Sequence, residues 1–285
     1  MKIIFSRKGF DSGSGGFPSP LFPDGTMCPL PIPDKKSVIS YRDIQFNNGN
    51  LGDIVESISR GRIKANDRAH LDPDLHQPSL PRHKNWKPIF GQVGAAQGHL
   101  RNQGIAAGDL FLFFGLFQDV NIDEHGVTLN PKFIPRHILW GWLQVETYLA
   151  VDELDRTDIN WAVYHPHFHR KQDRSNTLYL AKRILDIPGL DDENIKGAGV
   201  FSRFSNKYQL TAPNSRTSLW RLPRLMIPKS ITSTLSYHSN KDRWQIREDH
   251  VLLQSVGRGQ EFVINASSEP GAAEWISNLF KDNKN

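Results

Sequence analysis

GDLFLFFGLF, residues 108–117, and ILWGWLQV, residues 138–145, are the two stretches on which the fold turns. Each is a continuous apolar run of strand length, rich in Phe, Leu, Ile and Trp, and the first opens on the turn pair Gly108-Asp109. Such runs predict strands buried on both faces rather than strands with one wet side. The polar residues 118–136 between them make the pair a hairpin, or two neighbouring strands, at the centre of a sheet. Residues 161–165 are also strand-like, and residues 176–185 suit either a strand or a short helix. Residues 50–60 place Leu51, Ile54, Val55 and Ile58 at helical spacing, and residues 271–280 space Ala272, Trp275, Ile276, Leu279 and Phe280 as an amphipathic helix. Six prolines break residues 17–34 into a long irregular loop, and residues 66–100 read as loop again. The expected fold is mixed α/β, with a central mixed or barrel-like sheet and long Pro/Gly-rich loops. A single domain over residues 1–285 is favoured, its loop-rich part (1–107) leading into a strand-rich body (108–285).

At 285 residues, with 38% hydrophobic and 23% charged residues, 16 Phe and 7 Trp, the chain is rich enough in apolar surface to fold. No run of 18 apolar residues occurs, and Arg7 and Lys8 follow the opening apolar residues at once, so the reading is a cytoplasmic protein without a membrane partner. The single cysteine, Cys28, excludes an internal disulfide and a cysteine-based zinc site. The net charge of +5 and pI of about 9.3 suit a polyanionic partner without demanding one. Cations cluster at Arg60, Arg62, Lys64 and Arg68, at Arg82, His83, Lys84 and Lys87, and at Arg170, Lys171 and Arg174, with Trp86 and Phe168 among them. Cations beside aromatics can contact phosphates and stack on bases, although a solvated surface gives similar counts.

Four stretches carry candidate chemistry. The N-terminal strand KIIF empties into SRKGFDSGSGG, residues 6–16, where two cations, a carboxylate, hydroxyls and glycines crowd one strand end. Arg7, Lys8 and Asp11 are the catalytic candidates there, with Asp11 as base or nucleophile held ionised by its cationic neighbours, and Ser6, Ser12 and Gly13 as substrate contacts. A flexible linker would have the same composition. In HLDPD, His70, Asp72 and Asp74 offer a base, an acid or a metal ligand upstream of Arg82, a substrate-binding candidate; DPD is also ordinary turn chemistry. GQVGAAQGH supplies Gln92, Gln97 and His99 among small residues that let backbone approach a ligand, and lacks the Lys-Ser/Thr ending of a phosphate loop. In YHPHFHR, His165, His167 and His169 alternate, so an extended strand would aim all three at one divalent metal, with Asp152, Glu153 or Asp155 as carboxylate partners. On a loop they would instead be solvated or bind oxygens.

Taken together, MKIIFSRKGFDSGSGGFPSPLFPDGT, LPIPD, HLDPDL, GQVGAAQGHL, GDLFLFFGLF, ILWGWLQV, HPHF and NTLYLA resemble the third family of nucleotide-modification-associated domains, over nearly the whole chain. The resemblance implies one such domain, involvement in hypermodification of DNA bases in bacteria or phages, and a DNA or nucleotide substrate. It assigns no catalytic residues and no cofactor. The strand pair is also similar to the small barrels of ASCH and PUA-like modules. Three readings follow: an enzyme that modifies a base in DNA or a nucleotide; a non-catalytic PUA-like reader holding a base against Trp140 or Trp142; and a metal-dependent hydrolase of nucleotides or sugars built on His165, His167 and His169. A divalent metal is the one cofactor the residues suggest.

Overall fold

A computed structural model describes residues 1–285 apart from 125, 156, 171, 191–193, 228–234, 258, 268, 270 and 282–285. Lys171, one of the clustered cations, lies outside the described residues. In chain order the strands are β1 (Lys2–Arg7), β2 (Ser19–Leu21), β3 (Gln45–Phe46), β4 (Gly49–Asn50), β5 (Ile89–Gln92), β6 (Leu110–Asp123) and β7 (Gly126–Leu129). There follow β8 (Arg136–Ala150), β9 (Thr177–Ala181), β10 (Ala198–Val200), β11 (Leu219–Pro223), β12 (Trp244–Ile246), β13 (His250–Gln254) and β14 (Glu261–Asn265). The α-helices are α1 (Leu51–Ile58), α2 (Gly94–Asn102) and α3 (Ala272–Phe280).

The long apolar runs become β6 and β8, paired antiparallel at the centre of a nine-stranded sheet of order β14-β1-β6-β8-β9-β5, with β2 and β7 on β6 and β10 on β8. β1 and β2 run parallel to β6 and the other pairings are antiparallel, so the sheet is mixed, and it is not closed into a barrel. Both central strands outrun the apolar stretches that predicted them, because the polar end of β6 folds back as a hairpin with β7 and the far end of β8 pairs with β9. Helices α1 and α3 form where their periodicity placed them; Asn50 caps α1 by accepting from the Asp53 backbone N–H. Two expectations need correction. Residues 66–100 are not all loop, since the glycine-rich stretch builds strand β5 and helix α2. Residues 161–165 are not a strand: short 3-10 turns, Asn160–Ala162 and Pro166–His169, occupy that region, because Pro166 fits the first turn of a helix and cannot donate to a ladder.

Phe111 and Phe113 from β6, Phe90 from β5 and Tyr179 from β9 share one aromatic cluster, with ring centroids 5.0 Å apart for Phe90 and Phe111 and 5.2 Å for Phe90 and Phe113. Phe113 is fully buried. Phe113→Ala is therefore expected to lower unfolding free energy by about 3–5 kcal/mol in urea denaturation; a loss under about 1 kcal/mol would mean that the centre is not packed this way. A second apolar cluster joins Phe10, Phe17, Leu30 and Tyr41 to α1, and a third gathers Ile89, Ile159, Phe168 and Leu178. Cys28 is buried in the second, where desolvation pushes its thiol up, away from reactivity. Among the described residues no helix is long and apolar enough to cross a membrane.

Candidate active site

The site is built on β5, whose alternation sends Gly91 to one face and Phe90 and Gln92 to the other. On the Gly91 side the HLDPD segment is pinned to the sheet edge by reciprocal backbone bonds between Asp74 and Ile89, 2.9 and 3.0 Å. This carries Asp72 against the strand, where its Oδ1 accepts the Gly91 N–H at 2.7 Å. The 3-10 turn Pro166–His169 closes over it. A Cβ on Gly91 would lie 2.4 Å from the His167 ring, so only glycine leaves that imidazole its place. Gly91→Ala is expected to displace His167 with little change in fold content, which a crystal structure or the imidazole NMR resonances would reveal; an unmoved ring would contradict the packing.

Three imidazoles surround Asp72. Nε2 of His165 lies 3.2 Å from Oδ1, and Nε2 of His167 and of His70 lie 3.6 and 3.8 Å from Oδ2. His165 and His167 are 0% and 2% exposed. His70 is oriented from behind, its Nδ1 2.8 Å from the Asp34 carboxylate, and His167 by Asn176, whose Oδ1 lies 2.5 Å from Nδ1 and whose amide donates to the His167 carbonyl at 2.9 Å. Burial by itself would push the Asp72 carboxyl up; the adjacent imidazoles of His165 and His167 outweigh it and hold the group well below the usual carboxylate range. Burial lowers His165, against the opposing pull of Asp72, and neither of its ring nitrogens has an aligned hydrogen-bond partner among the described residues. The hydrogen bond with His70 leads the causes that hold Asp34 at about 2. Near neutral pH the cluster thus holds two carboxylates and a neutral His165.

The expected trio of histidines is divided by this backbone. A 3-10 turn has three residues per revolution, so positions two apart diverge; His165 and His167 reach Asp72 from different sides, and His169 does not join the cluster. Asp152 accepts the backbone N–H of Asp173 at 2.9 Å. Arg82 forks onto Asp74, Nη1 and Nη2 each 2.6 Å from a carboxylate oxygen, stacks 4.4 Å from the Trp86 ring centroid, and spends its remaining donors on Gln77, His76, Ser79 and Tyr164. Tyr164 also donates to Asp74 at 2.5 Å. Arg82 braces the wall beside Asp72.

A second polar centre occupies the other face of β5. Gln92, Ser6 and Lys8 all donate to Oε1 of Glu261, at 2.5, 3.0 and 3.0 Å, and Lys8 Nζ also sits 4.5 Å over the Phe90 ring. Glu261 is 1% exposed, and its Oε2 has no hydrogen-bond partner among the described residues. Nearby, Gln97 accepts from Tyr179 and His99 meets Ser236, each at 3.0 Å. Ser6 and Lys8 are thus joined to Gln92, while strand alternation turns Arg7 the other way, toward the Gly257 carbonyl and the Phe114 ring. Asp11 folds its own loop, accepting the Gly13 and Ser14 N–H groups at 2.8 Å, with Ser12 and Gly13 exposed at the tip. A Cβ on Gly15 would fall 2.4 Å from the Phe10 ring, so this glycine serves loop packing. Sequence reading missed Glu261, Asp34, Tyr164 and Asn176 as site residues. Glu261 sits in the ordinary strand sequence EFVIN, which carries no signal of its role.

Asp72 and Asp74 stand on the wall of a cleft of about 1230 Å³, together with Trp86, Trp140, Lys182 and Lys196. Trp142 does not face it; the ring is 1% exposed, packed between Phe201 and Phe280, with its N–H on the Lys196 carbonyl. The cleft therefore presents cations and flat apolar surface, with the Asp72 carboxylate buried in its wall. No curated protein and no solved structure matches the chain. One protein family does, described as nucleotide modification associated domain 3, and it matches residues 2–265 of the 285. The chain, whose sheet and buried polar clusters fall within that span, belongs to the nucleotide modification associated domain 3 family.

Proposed function

We propose that the protein is an enzyme of DNA base hypermodification, acting in the cytoplasm on a nucleobase in DNA or on its nucleotide precursor. Membership of the family suggests a role in nucleotide modification. The observation that carries the enzymatic reading is Asp72: an anionic carboxylate among three buried imidazoles, on the wall of a cleft that also presents tryptophans and lysines. An aromatic wall suits a base, the lysines suit phosphate, and a neutral imidazole against a fixed carboxylate can take up a proton. In this reading a substrate proton taken up by Asp72 at the cleft wall is passed to His165 behind it, Asp72 stabilises the imidazolium formed, and Asp34 and Asn176 keep the other two rings from turning. The loop-rich and strand-rich parts act as one domain, because the cluster draws Asp72 from the first and His165 from the second.

The test is to digest DNA from cells with and without the protein to nucleosides and compare their masses. A nucleoside present only with the protein is expected. Identical profiles together with tight binding of modified DNA would replace the enzyme by a reader of modified bases.

A further inference from the structure

We propose that His70 Nε2, His167 Nε2 and Asp72 Oδ2 bind one divalent first-row transition-metal ion. Hydrogen-bond chemistry fixes both rings. Asn176 has its amide N–H on the His167 carbonyl, so its Oδ1 faces His167 Nδ1 and can only accept; Nδ1 therefore carries a hydrogen, and Nε2 is the nitrogen left to bind either a proton or a metal ion. His70 is set the same way, since the group 2.8 Å from its Nδ1 is the Asp34 carboxylate. The two Nε2 atoms converge on Oδ2 of an acidic side chain, and all three potential ligand atoms lie within 4.8 Å of one another. With both rings in their neutral forms, three acceptors face each other, and a proton or a metal ion must lie between them.

Protons do not meet that need well. The separations from Oδ2, 3.6 and 3.8 Å, exceed the roughly 2.7–3.2 Å of an N–H···O bond. A metal about 2.1 Å from each ligand would hold tetrahedral ligands about 3.4 Å apart, close to the 3.6 and 3.8 Å that separate the two Nε2 atoms from Oδ2. Asp72 is divided suitably: Oδ1 is held by the Gly91 N–H and neighboured by His165, which leaves Oδ2 for the ion. His165, wholly buried with no aligned partner among the described residues, stands at Oδ1 and outside the ligand set. The paired supports, carboxylate behind His70 and amide behind His167, are the outer-shell arrangement that orients metal-binding imidazoles. Two imidazoles and one carboxylate favour zinc, manganese or iron(II) over magnesium or calcium. Three protein ligands leave at least one position for water or substrate.

The inference rests on the proposed function only for the chemistry the ion would serve; binding itself is separately measurable. Chelator-treated full-length protein would be titrated calorimetrically with zinc, manganese and, without oxygen, iron(II), with magnesium as control, and metal per chain counted by elemental analysis. One transition-metal ion per chain and no measurable magnesium binding are expected. Asp72→Asn, near-isosteric, should weaken binding at least about 100-fold, Asn176→Ala about 10–100-fold as outer-shell changes do, and His169→Ala not at all. Circular dichroism identifies any variant that fails to fold, and His70→Gln then takes its place. Wild-type protein that binds no stoichiometric transition metal would overturn the site, as would folded Asp72→Asn or His70→Gln binding as tightly as wild type. Metal binding without any change in DNA nucleosides would leave the site standing and remove the proposed function instead.

Discussion

Asp72→Asn is expected to abolish nucleoside modification while leaving the protein folded. Asn keeps one oxygen to accept the Gly91 N–H, 2.7 Å away in the wild type, and nearly the same volume, so the segment should stay on the sheet edge. What it loses is the charge that three imidazoles were placed around. Removing a general acid–base partner costs about 10²–10⁴ in rate, and losing a metal ligand would deepen the loss. Activity would be read from the modified nucleoside in DNA, and folding from the urea midpoint. A variant retaining more than about a tenth of wild-type modification would place the chemistry elsewhere.

The second large effect is structural. Lys8→Ala should leave Glu261, 1% exposed, without its cationic partner, held among the described residues by Ser6 and Gln92. Breaking a buried pair from one side costs about 3–5 kcal/mol, because a charge is left uncompensated. Removing both charges, as in Lys8→Met with Glu261→Gln, should recover much of the stability. The comparison separates two roles for the N-terminal strand end. If Lys8→Ala is stable yet inactive, Lys8 works on substrate; if it is destabilised and the double variant is rescued, Lys8 holds β1 and β14 beside β5.

The central strands were legible because apolar runs of strand length have few alternatives to burial on both faces, and β6 and β8 lie where those runs stand. Helices α1 and α3 were legible for the same reason at a different period. Strand β5 was hidden: it is four residues long and contains a glycine, so composition alone resembles a connection. That one omission concealed the site, because β5 is what brings Asp72, His167 and Gln92 to its two faces. The histidines were legible as residue types and not as geometry, since spacing two apart has one meaning in a strand and another in a 3-10 turn begun by Pro166. Asp34 and Asn176 lie 36 and 9 residues from the rings they orient, and no local pattern marks such pairs. In the charge-rich strand end, the partner of Ser6 and Lys8 is 253 residues or more away, at Glu261, and no local pattern marks it.

The most direct test of the account is a mass profile of DNA nucleosides from three otherwise identical strains, carrying the wild-type protein, the Asp72→Asn variant, or neither. The account predicts a mass-shifted nucleoside in the first strain alone. The same additional nucleoside in the variant strain, or none in the wild type, would contradict it.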